Sequence, residues 1–246
     1  MRLAILTDIH ANRAAFEAVL ADVDLRRVDR IVILGDIVGY GPDPEWCCDK
    51  VQALQAAGAI VVQGNHDAAI TTPDPGMNVT ALRLINWTRP RLSDDQKSWL
   101  AKLPLTERLG DLLFVHASAN TPGDWIYVNS AQRAMGSFRV VQDRVIFCGH
   151  VHVPALYSCD ATGRVTAQRF TRGAGLPLIR SRRWMTVVGS VGQPRDGRPL
   201  AAWALYDTTT NELTFHGQPY DVKATLSRIE AENLPHSLAL RLMSGV

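Results

Sequence analysis

The 246-residue chain has almost no excess of either charge, few cysteines and no long uncharged run. Twenty-six basic side chains face 24 acidic ones, a formal net charge of only +2, which argues against a protein that holds nucleic acid by bulk charge. A small or locally recognised substrate fits that balance better. The four cysteines, adjacent Cys47 and Cys48, then Cys148 and Cys159, form no C-x-x-C pair and no regular framework. Reduced thiols in a cytoplasmic chain are therefore expected. The first apolar run, Leu3 to Leu6, is ended by Asp8 too soon for a signal-peptide core, and no later stretch could span a bilayer. With 46% hydrophobic and 20% charged residues, the composition is that of a globular protein and excludes disordered, collagen-like and coiled-coil chains.

What is present is a series of short apolar runs of strand length: Leu3 to Leu6, Ile31 to Leu34, Ile60 to Val62, Leu112 to Val115 and Val145 to Phe147. Helical patterns over Ala14 to Leu25 and Pro44 to Ala57 separate the first three, a βαβαβ alternation that predicts a mainly parallel start to the sheet. Met77 to Thr88 and Asp94 to Leu103, the latter capped by Ser93, read as further helices. Loops are expected at Thr72 to Gly76 and at Thr121 to Asp124. Beyond His152 the runs at Ala155 to Cys159, Val165 to Phe170, Trp184 to Val188, Ala201 to Tyr206 and Leu213 to Gly217 suggest a second, more antiparallel sheet. Val222 to Glu232 and Ser237 to Met243, broken at Pro235, have helical spacing. One domain spanning 1–246, with two packed sheets, is the economical reading.

Each of the five early runs ends in residues of metal-ligand type: Asp8-Ile9-His10, Gly35-Asp36, Gly64-Asn65-His66-Asp67, His116, and Gly149-His150-Val151-His152. Ligands of an open α/β sheet sit beyond the carboxyl ends of its strands, so these side chains are expected to converge in one crevice. Carboxylates, imidazoles and an amide oxygen together suit divalent ions such as Mn, Fe, Co, Ni or Zn. These are more candidate ligands than one ion can take. Two ions sharing Asp36, about 3.5–4 Å apart, are the natural partition.

These five blocks, in this order, resemble the calcineurin-like metallophosphoesterases, whose pattern is D-x-H, G-D, G-N-H-D/E, a lone H, then G-H-x-H. The resemblance implies an α/β fold of two packed mixed β-sheets flanked by helices, an α/β/β/α sandwich. It implies one metal held by Asp8, His10, Asp36 and His152, and a second by Asp36, Asn65, His116 and His150. A hydroxide bridging the two would be the nucleophile. His66 becomes a group beside the leaving oxygen, oriented by Asp67.

Protein Ser/Thr phosphatases and symmetrical dinucleoside tetraphosphatases of this family carry G-D-x-x-D-R-G and an arginine soon after G-N-H. Here Gly35-Asp36 is followed by Ile37-Val38-Gly39-Tyr40-Gly41, and Ala68-Ala69 follow Asp67. The missing arginines lean the reading towards a phosphodiesterase of the small bacterial and archaeal branch. Phosphomonoesterase, dinucleoside-polyphosphate hydrolase and non-catalytic scaffold are the alternatives, and the scaffold would show eroded ligands, which are not seen. Asn12 is expected to cap the helix after His10. Gly189 to Gly197 resembles a block of the phosphodiesterase branch and offers Arg195 as a substrate-phosphate contact, while Tyr40, Trp125 and Tyr127 are candidate pocket walls or core. The basic stretch Arg169, Arg172, Arg180, Arg182 and Arg183 reads as surface, because 22 of the 26 basic residues are arginine and clusters arise by chance.

Overall fold

The first strand, β1 (Arg2–Leu6), is apolar on both faces because both are covered. Ala4 and Leu6 pack towards the helices on one side, and Leu3 and Ile5 point into the space between two sheets. The computed structural model describes residues 1–72 and 76–246, so Pro73 to Pro75 of the predicted Thr72–Gly76 loop lie outside the described residues. From β1 the chain runs through α1 (Arg13–Leu25), β2 (Arg30–Ile33), α2 (Pro44–Ala56) and β3 (Ile60–Val61). The three strands pair in parallel, Ala4 beside Ile31 and Ile33 beside Val61, as the alternation predicts. Asn12 caps α1 by accepting the Ala15 N–H at 3.2 Å, and Pro44 opens α2, where a missing N–H costs nothing. Phe16, Val19, Cys47, Cys48 and Val51 of these helices cover the outer face of the sheet.

After β3 come α3 (Asn65–Ala69), α4 (Val79–Thr88), α5 (Asp94–Lys102) and the hairpin β4 (Thr106–Leu109) and β5 (Leu112–Val115). Ser93 and Gln96 close a reciprocal capping box on α5. Then follow α6 (Ala131–Val140), β6 (Val145–Cys148), β7 (Ala155–Cys159), β8 (Val165–Gln168), β9 (Leu176–Pro177), β10 (Arg183–Val187), β11 (Ala201–Asp207) and β12 (Glu212–Gln218). Helices α7 (Val222–Ala231) and α8 (His236–Ser244) end the chain, with the expected break at Pro235.

Two mixed six-stranded sheets result, in the orders β3-β2-β1-β11-β12-β9 and β4-β5-β6-β10-β7-β8. The expected division at His152 is therefore corrected: β5 and β6 lie in the second sheet, while β11 and β12 return to the first, where Leu205 pairs antiparallel with Ala4. The reason is physical. Strands buried on both faces carry no alternation that distinguishes one sheet's interior from the other's. The first sheet thus has its parallel strands β3-β2-β1 at one edge, continued by antiparallel β11, β12 and β9, and the second has a parallel centre, β5-β6-β10, flanked by antiparallel strands.

Leu34, Phe114, Phe147, Tyr206 and Phe215 fill the space between the sheets, with Phe114 and Phe147 stacked at 5.8 Å. α6 covers the outer face of the second sheet through Ala134 and Phe138. That helix is not among the elements expected from the sequence, although Ser130 caps it and Ala131, Ala134, Met135 and Phe138 recur at helical spacing; β4 and β9 are unmarked. Among the described residues no helix is long and apolar enough to cross a membrane. All four cysteines are free and buried.

Candidate metal centre

The ends of β1, β2, β5 and β6 meet at one edge of the sandwich, and the chain leaves them through unusual backbone. Asp8 (φ 53°), His10 (49°), Asp36 (52°), His150 (66°) and His152 (62°) are all left-handed, as is Tyr40 (62°). This region is sparsely populated by residues with a Cβ and costs on the order of 1–3 kcal/mol at each. Hydrogen bonds over-determine it: Asp8 N–H donates to Gly35 O at 3.0 Å, His10 N–H to Asp36 O at 2.9 Å, and Gly192 N–H to Asp8 O at 2.9 Å. The Ser190 hydroxyl adds a second donor to Asp8 O at 2.8 Å. Gly35 (φ +90°) has no room for a side chain, since a Cβ would lie 2.3 Å from the Gly64 nitrogen.

Three imidazoles are turned the same way. His10 Nδ1 faces Val38 O at 3.1 Å, His116 Nδ1 faces Leu34 O at 2.7 Å, and His152 Nδ1 faces Gln193 O at 2.6 Å. A carbonyl accepts only, so each Nδ1 carries a proton, and each Nε2 presents a lone pair whenever its ring is neutral. Those lone pairs confront other acceptors. His10 Nε2 lies 3.1 Å from His152 Nε2, and His116 Nε2 lies 3.1 Å from His150 Nδ1 and 3.2 Å from Asn65 Oδ1. Asp8 Oδ1 is buried, receives no hydrogen bond and sits 3.1 Å from His152 Nε2. Asp36 Oδ2 is 3.6 Å from His10 Nε2 and 3.5 Å from His116 Nε2, so one carboxylate belongs to both groups. Asp8, His10, Asp36 and His152 form one cluster able to hold a cation, and Asp36, His116 and His150 another. A set of mixed N and O acceptors facing one another is the arrangement a divalent ion satisfies. The residues present fit it.

The electrostatics agree. Burial opposes ionisation of Asp8 and Asp36, yet the surrounding imidazoles, His152 foremost for Asp8 and His116 for Asp36, hold both carboxyls below their usual range. Burial also opposes charging of His116, but Asp36 overcomes it and pushes this imidazole up to about 9. His150 is driven down to about 3 by burial and by His116.

His66 is buried beside the clusters, its ring 4.9 Å from that of His10 and 4.6 Å from that of Tyr40. A Cβ on Gly39 would lie 2.2 Å from its Nδ1, which receives no hydrogen bond. Asp67 does not orient this ring directly, as the family resemblance implied. Its carboxylate accepts the N–H groups of Ile37 at 2.9 Å, Val38 at 3.3 Å and Gly64 at 3.0 Å, which ties together the loops that carry Asp36 and Asn65. Burial and the Asp36 carboxylate raise it to about 7 against the pull of those donors.

The clusters open into a cleft of about 740 Å³ lined by Asp36, Asn65, His66, His150, His152 and Arg195, and by Tyr40, Trp125 and Tyr127. Thus all three aromatics are pocket walls. Arg195 donates to Gln193 Oε1 at 2.6 Å and lies 5.8 Å from the Tyr40 ring centre. The arginine-rich stretch plays no part in the cleft: Arg172 pairs with Asp196, and Arg183 donates to the carbonyls of Phe138 and Val141. Sequence reasoning missed Gln193, whose carbonyl and side chain serve His152 and Arg195, and Thr7, whose hydroxyl donates to Asp8 Oδ2 at 2.8 Å. Thr7 carries no motif of its own, whereas Gln193 lies inside the Gly189 to Gly197 block that offered Arg195.

A family model described as the calcineurin-like phosphoesterase superfamily domain matches residues 1–211. The chain belongs to this superfamily. A solved metallophosphoesterase from Sphaerobacter thermophilus is 36% identical and matches with a TM-score of 0.87, covering 100% of both chains. An uncharacterized protein of Methanocaldococcus jannaschii is 29% identical over 255 residues, 99% of this chain and 98% of that one. A symmetrical bis(5'-nucleosyl)-tetraphosphatase of Chromohalobacter salexigens is 30% identical over 178 residues, 67% of this chain and 64% of that one. The calcineurin-like phosphoesterase match ends before α7 and α8, whose Ile229, Leu238 and Leu242 pack in one cluster with Tyr40.

A cation held by His116 would need its neutral imidazole, and Asp36 keeps that imidazole protonated up to about pH 9 in the metal-free protein, so binding there would release a proton below that pH. Affinity for Mn²⁺ should therefore tighten as pH rises from 6 to 8, by up to about tenfold per unit. Calorimetric titrations in buffers of different ionisation enthalpy measure both the affinity and the protons released. A pH-independent affinity would contradict the placement of His116 as a ligand.

Proposed function

We propose that this superfamily member is a phosphodiesterase that works with two divalent ions per chain. The preference for a diester rests on one observation: Arg195 is the one lysine or arginine among the described residues lining the cleft. A phosphomonoester dianion carries more charge than a diester and rewards additional guanidinium contacts. The segment after Asp36 instead sends Tyr40 into the cleft, and Ala68 and Ala69 follow Asp67 along its wall.

In this reading Asp8, His10, Asp36 and His152 hold one ion, and Asp36, Asn65, His116 and His150 the other. The ions are drawn from Mn, Fe, Co, Ni or Zn. Bound there, they would lower the pKa of a water molecule and neutralise charge on the phosphoryl group. The chain's own work is positional. Val38 O, Leu34 O and Gln193 O fix three imidazole tautomers, and Asp36 spans both clusters. Arg195 meets a phosphoryl oxygen beside Tyr40. His66 serves the leaving group; burial holds its pKa low, and the negative charge of an arriving phosphate favours its protonated form. Asp67 acts through the backbone, holding the loop that carries Gly39 against the His66 ring. The core shared by both sheets supports residues 1–246 as a single domain.

A second reading, hydrolysis of a dinucleoside polyphosphate, is favoured by the likeness to the Chromohalobacter tetraphosphatase. A panel of metal-reconstituted assays separates the two. The diester bis-p-nitrophenyl phosphate should be turned over with higher kcat/KM than phosphoserine or phosphothreonine peptides. A larger value on the phosphopeptides would overturn the diester assignment, and a larger value on diadenosine tetraphosphate would favour the second reading.

His66→Asn should leave both ions bound while slowing catalysis. General acid catalysis supplies about 10²- to 10⁴-fold, so the loss should be of that order for an alkoxide leaving group and smaller for nitrophenolate, which departs without a proton. Elemental analysis beside rates on the two leaving groups checks it. A lost ion, or equal losses on both substrates, would contradict the leaving-group role.

A further inference from the structure

Two aromatic side chains on the β5–α6 loop are held beside the clusters without being candidate ligands. The Tyr127 ring stacks on the His150 ring with centroids 4.1 Å apart and planes 21° apart. One face is thereby covered, yet Tyr127 is 47% exposed and lines the cleft, so its other face opens into it. Trp125 also lines the cleft and meets the His116 ring edge-on at 5.8 Å. Its backbone is left-handed (φ 53°), a conformation that bulky residues rarely adopt and that persists only where the surroundings impose it. Those surroundings are visible: Ser118 N–H donates to Ile126 O at 3.1 Å, Ala119 N–H to Ser137 Oγ at 3.0 Å, and Asp124 N–H to Thr121 O at 2.9 Å. The loop presents an aromatic surface in a fixed position, with the exposed Asp124 carboxylate on the same wall.

A flat, solvent-facing ring braced against an imidazole, with an acceptor nearby, matches a heteroaromatic base that stacks by its face and donates from its edge. We propose that Tyr127 and Trp125 form a base-stacking platform, so that the phosphate ester this site takes carries a nucleoside. The inference rests on the phosphoesterase reading above for the position of the phosphate at the clusters. Since the platform abuts His150 and His116, a base on it is joined to a phosphate there through one sugar.

The test compares AMP with ribose 5-phosphate, which share the sugar and phosphate and differ by the base. Equilibrium binding to the Mn²⁺-loaded protein should favour AMP by about 5- to 150-fold, the range that one base–aromatic stack supplies. Tyr127→Ala should remove most of that preference and Trp125→Ala part of it, while Tyr127→Phe, which keeps the ring, should retain it. Metal content of each variant shows whether His150 still has its place. Equal binding of AMP and ribose 5-phosphate, equal weakening of both by Tyr127→Ala, or no binding of either overturns the platform. Base-dependent binding without hydrolysis of any ester would uphold the platform and overturn the phosphodiesterase reading. Hydrolysis indifferent to the nucleoside, with equal binding, would do the reverse.

Discussion

Two carboxylates and four imidazoles turn their acceptor atoms towards one another inside the protein, and most of what is unusual in the structure follows from holding them there. Buried charge and unpaired polar atoms are costly in a low-dielectric interior, and lone pairs about 3 Å apart repel. The Nδ1 protons of His10, His116 and His152 are committed to backbone carbonyls, so rotation of the rings cannot relieve the repulsion without losing those bonds. A cation between the acceptors can, and without one Asp36 keeps a second proton on His116.

The fold supplies the convergence. The parallel strands of each sheet bring their carboxyl ends to a common edge, and contacts across the sandwich lock the two sets together. His150 N–H donates to Asp8 Oδ2 at 2.9 Å, and the His116 ring, from the second sheet, donates to Leu34 O of the first. The left-handed backbone at Asp8, His10, Asp36, His150 and His152 is the local strain that this convergence requires. Glycine appears where turns touch with no space left, and Asp67, buried among N–H donors, joins the loops behind His66.

Much of this was legible in the chain. Ligand-type residues at the ends of Leu3 to Leu6, Ile31 to Leu34 and the later runs signalled both the strands and the crevice, because chemistry and strand termination coincide there. Asn12 and Ser93 cap the helices they precede. Sheet membership was not legible: β6 and β11 are apolar on both faces, so nothing in either marks its partner, and the true pairing joins residues as distant as Ala4 and Leu205. α6 was legible but not read: Ser130 caps it and Ala131, Ala134, Met135 and Phe138 recur at helical spacing. The task of Asp67 was misread for a different reason. The family resemblance implied that Asp67 orients His66, whereas residues one apart on the short helix α3 point in different directions and Asp67 accepts backbone N–H groups instead. Backbone carbonyls that fix the imidazoles leave no trace in residue type at all.

The central claim is that Asp36 lies between two ions. Anomalous diffraction from crystals grown with Mn²⁺ tests it most directly. Two peaks per chain are expected, about 3.5–4 Å apart as in other two-ion sites, with the Asp36 carboxylate between them. A single peak, or two peaks of which one lies away from Asp36, would contradict it.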